Sequence, residues 1–167
     1  VRDTPISEAG IMGVGVGAAL TGMRPIVEIM FGDFIPIAMD QIVNQAAKMC
    51  YMTGGQAKVP LTIRTTIGAG RSSAAQHSQS LHAWLAHIPG IKVAIPSTPA
   101  DLKGLLKTAI RDDNPTIIYE DKMMYSMKGQ VPDDINFTIP FGVADIKRVG
   151  TDVSLIATSS MVHTALN

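Results

Sequence analysis

Glu8 is the first residue whose setting could support chemistry. It stands just ahead of a run of small and apolar residues, IMGVGVGAALTGM, which predicts a helix with Ser7 as its N-cap. A capping box would require Glu or Gln at residue 10, where the sequence has Gly10, so Glu8 is not a reciprocal cap. A carboxylate at the first helical position gains about 0.3–1 kcal/mol from the helix dipole. Spacing alone therefore favours a helix-start charge over a proton-handling group.

His77 is the second candidate, because it lies in a long polar loop, IGAGRSSAAQHSQ, over residues 67–79. Connections in compact domains usually have about 4–6 residues, and longer loops at strand ends are often functional. Gln76 and Ser78 flank the imidazole and could fix its tautomer. A surface histidine on a flexible loop explains the same residues equally well.

Composition argues against several classes of function. The chain has 167 residues, 46% of them hydrophobic and 17% charged, and its formal net charge is +0. It is therefore globular, and it lacks the basic surface that nucleic acids and anionic membranes require. The single cysteine, Cys50, cannot form an internal disulfide and fits a reducing compartment. We find no phosphate loop, dinucleotide fingerprint or metal-ligand spacing, and the longest apolar run is too short to span a bilayer.

Helix-like and strand-like segments alternate along the chain. We predict helices over residues 8–23, 35–51, 80–87 and 99–111, and strands over residues 25–31, 59–66, 92–97 and 115–120. This alternation is typical of an α/β fold with a parallel sheet and helices on both faces. Such sheets bind ligands at the carboxyl ends of their strands.

The last quarter of the chain has a different character. Residues 121–150 are more polar and contain two prolines, so we predict a linker with a hairpin or an extended segment. Residues 152–167 read as a strand that runs into a helix, the start of a second α/β domain. We therefore expect the chain to be a fragment of a longer protein.

Glycines are unusually frequent in the first predicted helix. Gly10, Gly13 and Gly17 fall on one helical face at spacings of three and four residues. Each glycine gives up roughly 1 kcal/mol of helix stability relative to alanine. We expect close packing of another backbone, for example at a subunit interface, to offset that loss.

Several segments, in matching order over essentially the whole chain, resemble a known family. They are DTPISEAG, GAALTGMRPIVEIMFGDF, DQIVNQAAK, YMTGG, AAQHSQS, GIKVAIPS and KGLLKTAIRDDNPTIIYE. They are similar to the beta subunit of the thiamine diphosphate-dependent first component of 2-oxo acid dehydrogenase complexes. The segment DKMMYSMKGQVPDD and the tail that follows it look most like the acetoin dehydrogenase branch, with the pyruvate and branched-chain branches close.

The resemblance implies a domain plan and an assembly. Residues 1–125 would be a pyrimidine-binding transketolase-like domain of the thiamine diphosphate-binding fold, without its N-terminal strand and helix. Residues 126–150 would be the linker, and residues 151–167 the start of a truncated transketolase C-terminal-like domain. The cofactor would lie between this subunit and an alpha subunit that holds the magnesium ion, in an alpha2-beta2 heterotetramer. Gly32-Asp33-Phe34 lacks the rest of the magnesium motif, so we assign no magnesium to this chain.

The resemblance also implies site residues. Glu8 would hydrogen-bond a ring nitrogen of the aminopyrimidine and so activate the cofactor, while His77 would assist proton transfer near the reacting carbon. Ile6, Met30 and Phe34 would form apolar walls around the pyrimidine. Backbone carbonyls would hold a potassium ion that braces the fold in some members; they belong to Leu61, Ala109, Asp112 and Asn114.

The resulting hypothesis is an enzyme that is active only with its alpha subunit. It would cleave acetoin or decarboxylate a 2-oxo acid and pass the acyl group to a lipoyl-bearing dihydrolipoamide acyltransferase. Pyruvate or branched-chain 2-oxo acids are the alternative substrates, and a transketolase-type enzyme is a further possibility. A hypothesis of another class is a non-catalytic α/β scaffold subunit. We favour a bacterial cytoplasmic location over a mitochondrial or plastid matrix.

Overall fold

The computed structural model describes every residue from Val1 to Asn167. Its strands are β1 (Ile26–Ile29), β2 (Thr62–Ile67), β3 (Lys92–Ala94) and β4 (Thr116–Asp121). They form one sheet in the order β1-β2-β4-β3, and every neighbouring pair is parallel. The predicted parallel sheet is confirmed. Strands β2 and β4 end one residue beyond their predicted ranges, and β1 and β3 are shorter than predicted.

Helices cover both faces of the sheet, as predicted. They are α1 (Glu8–Leu20), α2 (Met49–Met52), α3 (His82–Ala86), α4 (Pro99–Arg111) and α5 (Met161–Leu166). Helix α1 and the chain that follows β1 pack on one face and enclose the main core; α4 packs on the other face, over Ala94 and Ile118. None of the helices combines the length and the apolar character needed to cross a membrane.

The main core is built mostly from aliphatic side chains of α1, of β1, β2 and β4 with the residues just before β2, and of the chain that follows β1. Its fully buried members include Met12, Leu61, Ile63, Ile117 and Tyr119. Alternate residues of a strand point to opposite faces, so Ile63 and Ile67 of β2 face α1 while Arg64 faces away. The β-branched character of these strands suits a surface that is buried on both sides.

The predicted helix over residues 35–51 is wrong as a single α-helix. The chain instead forms a 3₁₀ segment (Gly32–Ala38), a π-helical segment (Asp40–Ala46) and then α2. Pro36 lies inside the 3₁₀ segment and has no N–H to donate, which prevents a regular α-helical ladder there. The segment still buries its apolar side chains in the core, including Ile35, Ala38 and Ile42.

The segment over residues 126–150 is extended rather than a hairpin and lies along α4. Lys103 Nζ and Lys107 Nζ donate to its carbonyls, and Thr108 Oγ1 donates to Ile139 O at 2.6 Å. Gly104 permits this approach, since a Cβ there would lie 2.6 Å from Ile139 Cγ1. The segment is therefore fastened to the domain.

The strand predicted within residues 152–167 is absent, although the helix that should follow it is present as α5. Val153 and Ile156 are exposed, at 74% and 97%, and no neighbouring strand offers them hydrogen bonds. An isolated extended segment has no ladder partner to define it as a strand, which explains the difference.

The glycines of α1 divide into two groups that the sequence did not separate. A Cβ on Gly15 would lie 2.5 Å from Val27 Cγ2 and 3.3 Å from Leu61 Cδ1, so Gly15 is the position where α1 approaches the sheet closely. A Cβ on Gly17 would meet nothing within 4 Å, and Gly13 has only ordinary contact with Gln41. A Cβ on Gly10 would lie 3.1 Å from Ser7 Oγ, so of the predicted Gly10–Gly13–Gly17 face only Gly13 and Gly17 have room for a side chain within this chain. The role of that face at a subunit interface stays a prediction.

This division predicts opposite effects for two substitutions in one helix. Gly17→Ala should raise the free energy of unfolding by roughly 0.5–1 kcal/mol, because alanine is the better helix former and meets no atom. Gly15→Ala should lower it by about 1 kcal/mol, because overpacking against Val27 outweighs that gain. Urea unfolding followed by circular dichroism measures both values. Equal stabilisation by the two substitutions would contradict the packing described for Gly15.

Candidate active site

The carboxyl ends of the strands bring the predicted catalytic residues to one edge of the sheet. Helix α1 runs into β1 through a short turn over residues 21–25, so it is antiparallel to the strands and begins at their carboxyl edge. Glu8 is its first residue. The 3₁₀ segment that follows β1 packs against α1 and also against the 3₁₀ turn Ala75–His77 in the loop after β2. Glu8, Phe34 and His77 thus lie on successive packed elements.

Glu8 is half-buried and has no partner. Ser7 is the N-cap residue, as predicted, yet its side chain forms no capping hydrogen bond. The hydrogen bonds and ion pairs of the chain leave the Glu8 carboxylate free as well. The carboxylate therefore keeps its full capacity to accept or share a proton with a ligand at this edge.

His77 is held among aromatic rings. Its ring centroid lies 4.7 Å from that of Phe31 and 5.3 Å from that of Phe34, with interplanar angles of 82° and 89°. Such edge-to-face contacts fix the orientation of a ring without a hydrogen bond. The Nδ1 atom is buried and has no hydrogen-bond partner, and Nε2 forms no hydrogen bond with the chain. His77 is therefore an oriented imidazole with both nitrogens unused.

The loop that carries His77 is strained and firmly anchored. Ala74 has φ 63° and ψ 175°, a backbone conformation that is nearly restricted to glycine. Asp33 Oδ1 accepts two hydrogen bonds from Gln79, one from its backbone N and one from its Nε2, each at 3.0 Å. Lys122 Nζ donates to the carbonyl of His77. These contacts favour an ordered loop over the alternative of a surface histidine on a flexible loop.

Sequence reasoning missed three members of this cluster, which are Phe31, Asp33 and Lys122. Asp33 and Lys122 are buried charged side chains, at 8% and 5% exposure, and both follow strand ends. The position of Lys122 directly after β4 was the available signal, since ligand sites of parallel sheets collect there. Burial of the two charges could not be read from the sequence.

Ile6 and Met30 are not brought to the His77 rings. Ile6 is 79% exposed in the segment ahead of α1, and Met30 is 56% exposed at the end of β1. Because Val27 and Ile29 point into the main core, strand alternation turns Met30 to the opposite face, beside Arg64 and Thr66. Of the three predicted apolar walls, only Phe34 contacts His77 in this chain.

The four residues predicted for a potassium site meet at the amino edge of the sheet, away from His77; they are Leu61, Ala109, Asp112 and Asn114. Leu61 O accepts from Thr116 N at 2.9 Å, and Asp112 O accepts from Arg24 Nη1 at 2.9 Å. The pKa of the Asp112 carboxyl is lowered although burial opposes this, because Lys92 and Asn114 donate to it. The guanidinium of Arg24 already supplies positive charge at this corner, and the potassium site stays a prediction.

A network of charged and phenolic groups crosses the sheet face that α1 does not cover. Arg64 of β2 binds Glu120 of β4 through two hydrogen bonds, at 2.7 and 3.0 Å, and Glu28 of β1 at 3.2 Å. Tyr125 OH donates to Glu120 Oε2 at 3.0 Å. Burial, followed by the nearby Glu120 charge, raises the pKa of Tyr125 to about 12. This network ties three strands together, and it lies on the face opposite the core.

Side chains that could bind a metal ion do not cluster in this chain. No group of three or more His, Cys, Asp or Glu residues has a suitable arrangement. The groups at the carboxyl edge are instead two phenylalanine rings, the imidazole of His77, the unpaired Glu8 carboxylate and the buried charges of Asp33 and Lys122. Aromatic rings with a few free polar groups are typical of a small-molecule site.

Known proteins resemble this chain over nearly its full length. The chain is 58% identical over 166 residues to the acetoin:2,6-dichlorophenolindophenol oxidoreductase subunit beta of Bacillus subtilis, covering 99% of this chain and 48% of that protein. It is 54% identical to the protein of the same name from Cupriavidus necator, covering 98% and 48%. It is 47% identical to the 2-oxoisovalerate dehydrogenase subunit beta of Bacillus subtilis, covering 99% and 51%. The chain spans about half the length of these relatives.

A solved structure and a family model agree with these likenesses. The fold matches a split-gene transketolase, described as an inactive beta4 tetramer, with a TM-score of 0.74 and 24% sequence identity, over 96% of this chain and 49% of that one. The model described as "Transketolase, pyrimidine binding domain" matches residues 1–128, which include all four strands, Glu8 and His77. This chain belongs to the transketolase pyrimidine-binding domain family.

Proposed function

We propose that this chain is part of the beta subunit of a thiamine diphosphate-dependent acetoin or 2-oxo acid dehydrogenase component. The observation that carries the proposal is the unpaired carboxylate of Glu8 at the same sheet edge as His77 and its aromatic rings. The names of the relatives support the class of reaction. Acetoin cleavage is the first candidate, with decarboxylation of pyruvate or branched-chain 2-oxo acids as the second.

Glu8 would hold a proton at the pyrimidine ring of the cofactor. When bound, thiamine diphosphate supplies the electron sink for cleaving a bond next to a carbonyl carbon. Glu8 has no competing partner in the chain, so its carboxylate can hydrogen-bond a ring nitrogen. Its place at the first position of α1 sets its backbone at the carboxyl edge of the sheet, and α1 packs against the 3₁₀ segment that carries Phe34.

His77 would exchange a proton with the substrate. The rings of Phe31 and Phe34 orient the imidazole, and Nδ1 is buried against them. Nε2 has no hydrogen bond in the chain and is the atom we assign to proton transfer. A histidine suits this role because its ordinary pKa is close to neutral pH.

The rest of the assembly follows from the same family likeness. An alpha subunit would complete the cofactor site and hold magnesium, in an alpha2-beta2 heterotetramer, and a lipoyl-bearing dihydrolipoamide acyltransferase would take the acyl group. The Gly10–Gly13–Gly17 face of α1 is a candidate surface for contact with another subunit, because it has room at Gly13 and Gly17. Potassium would bind at the carbonyls described above, and the bacterial cytoplasm is the proposed location.

A purely scaffolding role is not favoured. A scaffold subunit gains nothing from a half-buried carboxylate without a partner or from a strained loop that presents an imidazole. Both features carry a free-energy penalty that a functional site explains. The enzyme hypothesis therefore accounts for observations that the scaffold hypothesis leaves unexplained.

Replacement of Glu8 should separate catalysis from assembly. In the full-length subunit assembled with its partner, Glu8→Gln should lower kcat by about 100-fold or more, because the proton shared with the cofactor is lost. Asp3→Asn, a change at an exposed carboxylate five residues earlier, should leave kcat unchanged. Turnover of acetoin, pyruvate and branched-chain 2-oxo acids measures kcat. Size-exclusion chromatography measures assembly. Near-normal turnover of Glu8→Gln would refute the assigned role.

Replacement of His77 should affect turnover more than binding of the cofactor. His77→Gln should reduce kcat by about 100-fold with the preferred substrate, since a proton-transfer group typically contributes that much. His87→Gln offers a matched control, because His87 is exposed and lies ten residues further along the chain. Steady-state kinetics and calorimetric titration with thiamine diphosphate give the two readouts. Equal losses in both variants would show that His77 has no special role.

A further inference from the structure

Lys122 is an unusual residue in this structure because its ammonium group is buried without a carboxylate. It is 5% exposed and is the one lysine or arginine among the buried residues. None of the ion pairs in the chain includes it. Removing an ammonium group from water without a counter-ion is strongly unfavourable. Its other contacts must therefore explain its position.

Those contacts connect Lys122 to the loop that carries His77. Its Nζ donates to the backbone carbonyl of His77 and lies 5.3 Å from the ring centroid of Phe31. Arg71 Nη2 donates to the carbonyl of Lys122 at 3.0 Å, and Arg71 lies near the start of the same loop. A cation over an aromatic face is attracted by the ring electrons, more strongly when the cation is desolvated. The ammonium thus joins the backbone of His77 to one of the rings that orient its imidazole.

Asp33 anchors the same loop two residues after His77. Its Oδ1 accepts both hydrogen bonds from Gln79, and its Oδ2 is buried without a partner. Ala74, whose positive φ must be stabilised by its surroundings, lies between the Arg71 contact and the His77 contact of Lys122. Two buried charges of opposite sign therefore hold this strained loop, Lys122 at the carbonyl of His77 and Asp33 at Gln79.

We infer that Lys122 is a positioning residue that holds the His77 imidazole in place through the His77 carbonyl and the Phe31 ring. The inference rests on the proposed role of His77 in proton transfer. Lys122 acts through His77, because its Nζ is directed to the carbonyl of that residue. Loss of the ammonium group frees the carbonyl, allows Ala74 to relax and lets the imidazole leave its place between Phe31 and Phe34.

The test compares Lys122→Met with two other variants in the full-length subunit assembled with its partner. Methionine matches the length of lysine but removes the charge and the donor, whereas Lys122→Arg retains both. Lys128→Met is the matched control, because Lys128 lies six residues later and is exposed. Hydrogen–deuterium exchange of residues 68–79 reports the loop directly, without reference to activity. Steady-state kinetics with thiamine diphosphate reports its effect on turnover.

Lys122→Met should make the amides of residues 68–79 exchange about tenfold faster, with no change in the strands. Its kcat should fall by about 10- to 100-fold while KM stays within about threefold, since a small displacement of a reacting group lowers the rate by up to about that factor. Lys122→Arg should retain most of the slow amide exchange and most of kcat, and Lys128→Met should match the wild type in both. If Lys122→Met does not fold, Lys122→Gln is judged by the same criteria.

Unchanged exchange in residues 68–79 of Lys122→Met would overturn the inference, whatever happens to turnover. Faster exchange across the whole sheet would overturn it as well, because Lys122 would then support the core rather than the loop. A wild-type assembly with no thiamine diphosphate-dependent turnover would instead defeat the proposed function. In that case loop exchange still decides whether Lys122 positions His77.

Discussion

The pairing of β2 with β4 is the constraint on which the rest of the structure depends. These two strands form the centre of the sheet, and their register aligns Ile67 with Asp121, so both end at the same level. The loop that carries His77 leaves β2 at that level, and Lys122 follows β4 there. A slip of one residue by either strand would turn its core residue, Ile63 or Ile117, to the opposite face, so burial of these side chains specifies the register.

Polar groups at this edge are positioned by a few buried interactions rather than by a broad network. Asp33 and Lys122 each use their charge to hold backbone or amide groups of one loop. In a low-dielectric setting such hydrogen bonds are stronger, and leaving their partners unpaired is more unfavourable. By contrast, Glu8 is fixed only by the backbone of α1 and keeps its carboxylate free. His77 is therefore positioned by the anchors of its loop, whereas Glu8 is positioned by the start of α1.

Much of this architecture could be predicted from the sequence, and the exceptions have physical causes. Alternation of segments predicted the parallel sheet, and the helix predicted over residues 99–111 formed with those bounds as α4, whose N-cap Thr98 accepts a hydrogen bond from Asp101 N. A 3₁₀ segment, a π-helical segment and α2 replaced the single helix predicted over residues 35–51, because Pro36 cannot donate a backbone hydrogen bond. The predicted late strand did not form, because a strand is defined by a partner that the residues around it do not supply.

The candidate site, too, could be predicted only in part from the sequence. Family likeness selected Glu8, Phe34 and His77, which lie on packed elements at one edge of the sheet. Spacing alone favoured a helix-start charge for Glu8 and left the role of His77 open. Sequence could not reveal that Met30 faces the opposite side of the sheet, since that depends on which strand face the core occupies. It also could not reveal that Lys122 is buried, because burial of a charge follows from tertiary contacts.

Calorimetric titration of thiamine diphosphate into the full-length subunit assembled with its partner tests the central claim most directly. Saturable binding at one site per subunit pair, weakened in the Glu8→Gln assembly, is the result that our account predicts. Binding that is absent from the wild-type assembly, or unaffected when Glu8 is replaced, would contradict it.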